Sequence, residues 1–229
     1  MTSSEVLVSP ELLVCSALRA LVGWDRVAVV AADGLDHRLP LPGSDAVLRH
    51  WGDLQQSVAQ GPGADVLATG TPVLVYDLCL GPTPWPVLQA ADAADLPVRS
   101  LAVLPLVAPG RAQVVGVLSV ARDAVDPFTG VQVGLLTALA ALVAAVVAHR
   151  LDDGTLLVGD DDQLAGGGGG LGDDFAVVVG MLTERLGTGA DEALARLRAH
   201  AFSSGRTIHQ VARAVVVGEV DLAVIVVEP

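Results

Sequence analysis

Between residues 152 and 174 the chain reads DDGTLLVGDDDQLAGGGGGLGDD, a stretch holding seven aspartates and five consecutive glycines. Glycine and aspartate both disfavour regular structure and the like charges repel one another, so the segment predicts a flexible linker and excludes one continuous core. About 150 residues precede it and about 55 follow, lengths that suit one medium domain and one small bundle. The expected division is 1–151, a linker over 152–174, a bundle over 175–219 and an apolar tail over 220–229.

Composition narrows the function classes. Of the 229 residues 52% are hydrophobic and mean hydropathy is +0.58, too apolar for a disordered chain despite a net charge of −13. All 13 basic residues are arginine. Without lysine there is no P-loop, kinase-strand, receiver or Schiff-base chemistry, because each needs an ammonium on a flexible stem. No G-x-S-x-G, H-E-x-x-H or C-x-x-C occurs, so no enzyme is expected. Gly167, Gly169 and Gly172 satisfy G-x-G-x-x-G, but between aspartate runs they do not suit a pyrophosphate. Cys15 and Cys79 read as buried free thiols, and MTSSEVLVSP carries no signal-peptide pattern, so a cytoplasmic protein is expected. The run Val133 to Ala148 has no charge, yet it is short and alanine-rich for a membrane span; it reads as a helix packed on its own domain and on a second copy.

The first part mixes both structural periods. Glu11 to Val22 carries a helical stripe, Arg26 to Ala32 is strand-like, and Asp45 to Gln60 reads as a helix with Ser44 as its cap. A short strand over Pro72 to Tyr76, a helix over Pro86 to Ala94 and two long strands, SLAVLPLV and AQVVGVLSVA, precede the alanine-rich helix. A mostly antiparallel sheet with interposed and closing helices is an α+β sensor-like domain.

The strings TGTPVLVYDL, WPVLQAADAADLPVRSLAVLPLV and VVGVLSVARDAVDPFTGVQVGLLTALAALVAAVVAHRL resemble the second half of a GAF domain, as found in actinobacterial regulators. After the linker, GMLTERLG from Gly180, ADEALARLRAHA from Ala190 and TIHQVARAVVVGE from Thr207 resemble an ANTAR domain, a three-helix RNA-binding module found behind GAF domains. The GAF resemblance implies an effector pocket between the sheet and its flanking helices. Trp51, Trp85, His37 and His50 are candidates to line it, haem ligation by His37 or His50 stays open, and no cofactor is specified. The ANTAR resemblance implies a dimer that binds RNA hairpins and prevents transcription termination. One departure stands out: where the family commonly has Ala and then Lys or Arg in the first helix, this chain has Val178 and Val179, so a basic contact is lost.

The residues support the bundle independently. Phe175, Val178, Val179, Leu182 and Leu186 form one apolar stripe. Ala190, Leu194, Leu197 and Ala201 form a second behind a Thr188–Asp191 start, and Ile208, Val211, Ala212 and Val215 a third behind Thr207. Residues 175–218 hold five arginines against three acids, a balance of +2, which leaves −15 for the rest of the chain. Arg206, His209, Gln210 and Arg213 fall on one side of the third helix, with Arg196, Arg198 and His200 on the second. Guanidinium forks suit phosphate oxygens, so the RNA-binding candidates are Arg196, Arg198, Arg206, His209 and Arg213. The competing expectation is a protein-interaction or sensor protein whose bundle no longer binds RNA. The tail VDLAVIVVEP is β-prone and needs cover.

Overall fold

The computed structural model describes residues 10–32, 38–80, 83–90, 97–153 and 171–227. In chain order the first part contains α1 (Pro10–Val22), β1 (Arg26–Ala32), β2 (Arg38–Pro40), α2 (Ala46–Val58), α3 (Pro62–Thr69), β3 (Val73–Val75), α4 (Pro86–Ala90), β4 (Ser100–Val107), β5 (Val114–Arg122) and α5 (Gly130–Asp152). The strands form one antiparallel sheet in the order β2-β1-β5-β4-β3. This is the α+β architecture expected.

The sheet is covered on both faces, which explains why SLAVLPLV is continuously apolar instead of alternating. One face, with Val29, Leu104, Leu106, Leu118 and Val120, packs under α1 and α5. The other, with Ala28, Leu101, Val103 and Val117, packs under Leu48 and Trp51 of α2, Val66 of α3 and Leu88 of α4. Pro105 lies past the end of the β3 pairing, where β4 has only β5 beside it and a missing N–H costs least; the β4–β5 register shifts there. At Gly116 the strands come so close that a Cβ would stand 2.3 Å from the Val30 carbonyl oxygen.

Local chemistry differs from expectation at two caps and one corner. Asp45, not Ser44, caps α2, its carboxylate accepting the Val47 and Leu48 amides, because Ser44 is buried and hydrogen-bonded to Val29 of β1. The corner into α3, which the pattern did not disclose, is built around Gln55. Its Oε1 accepts the Gly63 amide at 2.7 Å, and its side chain lies where a Cβ at Gly61 (φ 139°) would fall. The closing helix α5 starts at a Thr129–Gln132 capping box. By length and composition α5 is apolar enough to cross a membrane, but Leu136, Ala140, Val143, Ala144 and Val147 are buried against the sheet.

The second part consists of α6 (Leu171–Leu186), α7 (Ala190–Ser204), α8 (Ile208–Val216) and α9 (Leu222–Val227). Phe175, Val178, Leu182, Leu194, Leu197, Ile208, Val211, Val215 and Ile225 make its core. Gly189, not Thr188, is the N-cap of α7, and it offers no side-chain bond. The tail read as β-prone folds as helix α9: Asp221 accepts the Ala223 amide at its start, Ile225 is fully buried, and the backbone is satisfied within the turn instead of at a strand edge. Helix α5 runs through Asp152 and α6 begins at Leu171, so both ends of the expected linker are helical; residues 154–170, with Gly167 and Gly169, lie outside the described residues.

Candidate functional site

The bundle is seated on the first part through α2, which meets both α7 and α8. Like any helix, α8 begins with backbone amides that have no partner within it. Thr207 accepts the Gln210 amide, Gln210 returns a bond to the Thr207 amide, and the Ile208 amide is taken by the Ser57 hydroxyl of α2 at 2.9 Å. Ser57 in turn donates to the Asp53 carbonyl at 2.6 Å, so its hydroxyl is satisfied on both sides. One residue away, Gln56 is 1% exposed; its Oε1 lies 3.0 Å from His209 Nε2, and its carbonyl accepts from Arg198 Nε at 3.1 Å. Two adjacent α2 residues thus hold the starts of three bonds into the bundle.

Asp53 completes the joint. Its carboxylate is 3.7 Å from His209 Nε2 and about a third of the side chain (32%) still reaches solvent. Burial raises its pKa to about 7 and outweighs the nearby Arg49 and Arg38 cations, which pull the other way. Near neutrality this carboxyl therefore carries less than a full charge beneath the bundle.

The five candidate residues are brought onto one bundle but not onto one open face. His209 is not on a solvated side of α8: it is 5% exposed, pressed between Gln56 and the Phe175 ring, whose centroid is 5.2 Å away. A single-bundle view assigns α8 one buried side, whereas α2 covers a second. Arg198 reaches the same helix. Arg213 pairs with the buried Asp174 at 3.0 Å, and Arg196 bonds Glu192 and the Val226 carbonyl at the end of α9. Arg206 is exposed and its guanidinium has no partner among the described residues. Phe202, beside it on α7, is 61% exposed. Asp53, Gln56 and Ser57 were missed from sequence because polar residues at the end of an amphipathic helix read as its solvent face. For Gln56 and Ser57 the signal was the polar run Gln55-Gln56-Ser57 directly before a helix-ending turn; Asp53 had none.

A GAF domain model matches residues 13–147, more than half of the chain. The chain belongs to the GAF domain family. An ANTAR domain model matches residues 178–216 behind it, so the protein is a GAF and ANTAR domain-containing regulator, and both are regulatory domains. No curated protein matches the chain. Among solved structures, a domain of a putative two-component sensor histidine kinase from Sinorhizobium meliloti is 14% identical, with a TM-score of 0.48, covering 66% of this chain and 97% of that one. The GAF domain of a phosphoenolpyruvate-protein phosphotransferase from Acinetobacter is 15% identical (TM-score 0.46; 63% and 83% covered), and that of the corresponding Coxiella burnetii protein 18% identical (TM-score 0.47; 65% and 89%).

Within the GAF domain, the expected lining of an effector pocket is distributed otherwise. Trp51 and Trp85 are 4% and 7% exposed and fill the layer between the sheet and α2–α4, where Trp85 Nε1 donates to Asp65 at 2.8 Å. His50 is exposed on α2, and His37 lies outside the described residues. Cys15 is buried, and desolvation pushes its thiol pKa up. Cys79, expected to be buried, is exposed because the chain turns outward after Asp77. Within the ANTAR bundle, Val178 is fully buried and Val179 packs against the core, so the departure at these positions serves packing.

Proposed function

We propose that this regulator binds RNA hairpins through the ANTAR bundle and thereby prevents transcription termination in the cytoplasm, with the GAF domain deciding when the bundle is available. The ANTAR match over residues 178–216 carries the reading, and the basic residues of α7 and α8 supply its chemistry. The joint on α2 supplies the control. While docked, Arg198 and His209 are engaged by Gln56, and of the five candidates Arg206 is the one whose side chain has no partner among the described residues. Release frees Arg198 and His209 for phosphate or base contacts, a shift between two populations of the same chain.

The active species in this reading is a homodimer. Val131, Leu135, Leu142 and Val146 are exposed along α5, with Leu21 exposed on the neighbouring α1, a strip apolar enough to bury against a second copy. Two bundles on one dimer then engage two hairpins with an avidity neither has alone.

Fluorescence anisotropy of a two-hairpin RNA tests the assignment. Replacing Arg206 and Arg213 with Ala is expected to weaken binding about 10- to 100-fold and to lower the slope of log K against log salt by about two. Identical salt slopes for the two proteins remove this face from the RNA site. The second reading, a bundle that serves protein contacts only, is favoured by the burial of Val178 and His209 and by Val179 packing on the core, and an RNA affinity too weak to measure would select it.

A further inference from the structure

The joint between the two domains encloses a cleft of about 580 Å³, a size typical of small-molecule sites. Its apolar lining comes from both domains, Leu54 and Val58 of α2 with Ala201 and Phe202 of α7, beside the polar Ser57, Thr207 and Gln210. Arg206 and His50, one from each domain, also line it. In a chain of net charge −13, no carboxylate lines this cleft among the described residues. Two other clefts differ on this point: in one Arg111 is paired with Asp152, and another is bordered by Asp77, which holds Arg99.

We infer that this interdomain cleft is the effector site, and that it takes a small organic anion, a carboxylate on a flat apolar body, held by Arg206 with the body against Leu54, Val58 and Phe202. A guanidinium with no partner among the described residues is a fork suited to an anion, and Thr207, the N-cap at the positive end of the α8 dipole, lines the same cleft. A bare inorganic anion would leave the side chains of Leu54, Val58 and Phe202 with nothing to bury against. Because α2 and the α7–α8 turn both contribute, such a ligand binds the docked arrangement better than the released one and shifts the population toward it. It also occupies the arginine assigned to RNA. The regulatory consequence rests on the proposed function; the binding itself does not.

The probe is naphthoate, titrated calorimetrically into the full chain, with naphthylmethanol as its uncharged analogue and inorganic phosphate as competitor. Naphthoate is expected to bind, with a loss of about 10- to 100-fold for R206A, a smaller loss for R206K, a comparable loss for naphthylmethanol, and no displacement by phosphate. F202A is expected to weaken it several-fold while leaving Arg206 in place. No heat with naphthoate, equal affinity for R206A, or full displacement by phosphate overturns the site. Naphthoate held through Arg206 with no change in RNA affinity supports the site and contradicts its part in the regulator.

Discussion

Truncating Trp51 to Ala is expected to destabilise the GAF domain by about 3–5 kcal/mol, the range for deleting a buried indole. For a chain of this size that lowers Tm by roughly 10 °C, readable by circular dichroism. The reason is positional: Trp51 is 4% exposed and stands in one cluster with Leu48, Val66, Trp85 and Leu101, so its removal opens a cavity that helix and sheet cannot both collapse into. A tryptophan lining an effector cavity behaves differently, since its loss enlarges a space already open to water. A Tm change within about 2 °C restores the layer between sheet and helices as the ligand pocket and moves the effector away from the interdomain cleft.

Removing the polar hold of α2 on the bundle is expected to have the largest functional effect. In a Gln56→Ala, Ser57→Ala double variant, docking leaves the Ile208 amide without the Ser57 hydroxyl and His209 without the Gln56 amide group, both in buried positions. Each such loss costs about 1–3 kcal/mol, and in the released bundle water can serve the same groups, so the penalty falls on the docked state. The two losses together come to about 2–6 kcal/mol, so the released fraction is expected to rise at least about 30-fold. Hydrogen exchange in the first turn of α8 quickens by a similar factor. RNA binding tightens in parallel, because apparent affinity scales with the fraction of competent molecules until that fraction saturates. Unchanged exchange at α8 rules out α2 as the hold. Faster exchange without tighter RNA binding rules out release as the switch.

Much of this fold was legible because its signals are local. The continuous apolar runs that became β4 and β5, the alanine-rich α5 and the three stripes of the bundle each follow from periodicity within one element. What could not be read belongs to pairs of elements distant in sequence. His209 looks solvated on α8 alone and is buried because α2, some 150 residues earlier, lies across it. Ser44 resembles a cap until Val29 claims its hydroxyl, and the β-branched tail turns helical because the bundle has a hollow for Ile225. The arginines of the site were found by their chemistry, but which were already engaged was decided by Asp174, the Val226 carbonyl and Gln56, none of which a helical wheel displays.

The central claim is that RNA and α2 compete for one side of the bundle, so the two domains separate when RNA binds. Cys79 is exposed and Cys15 is buried, which leaves one natural labelling position on the GAF domain; a second is supplied by E184C on α6, away from the joint. Energy transfer between dyes at these two positions, measured in the full chain before and after saturating two-hairpin RNA, reads the separation directly. The account predicts high transfer in the free protein and a marked fall on RNA binding. Transfer that stays constant while the RNA is fully bound would show that the bundle reads RNA without leaving α2, and would contradict the claim.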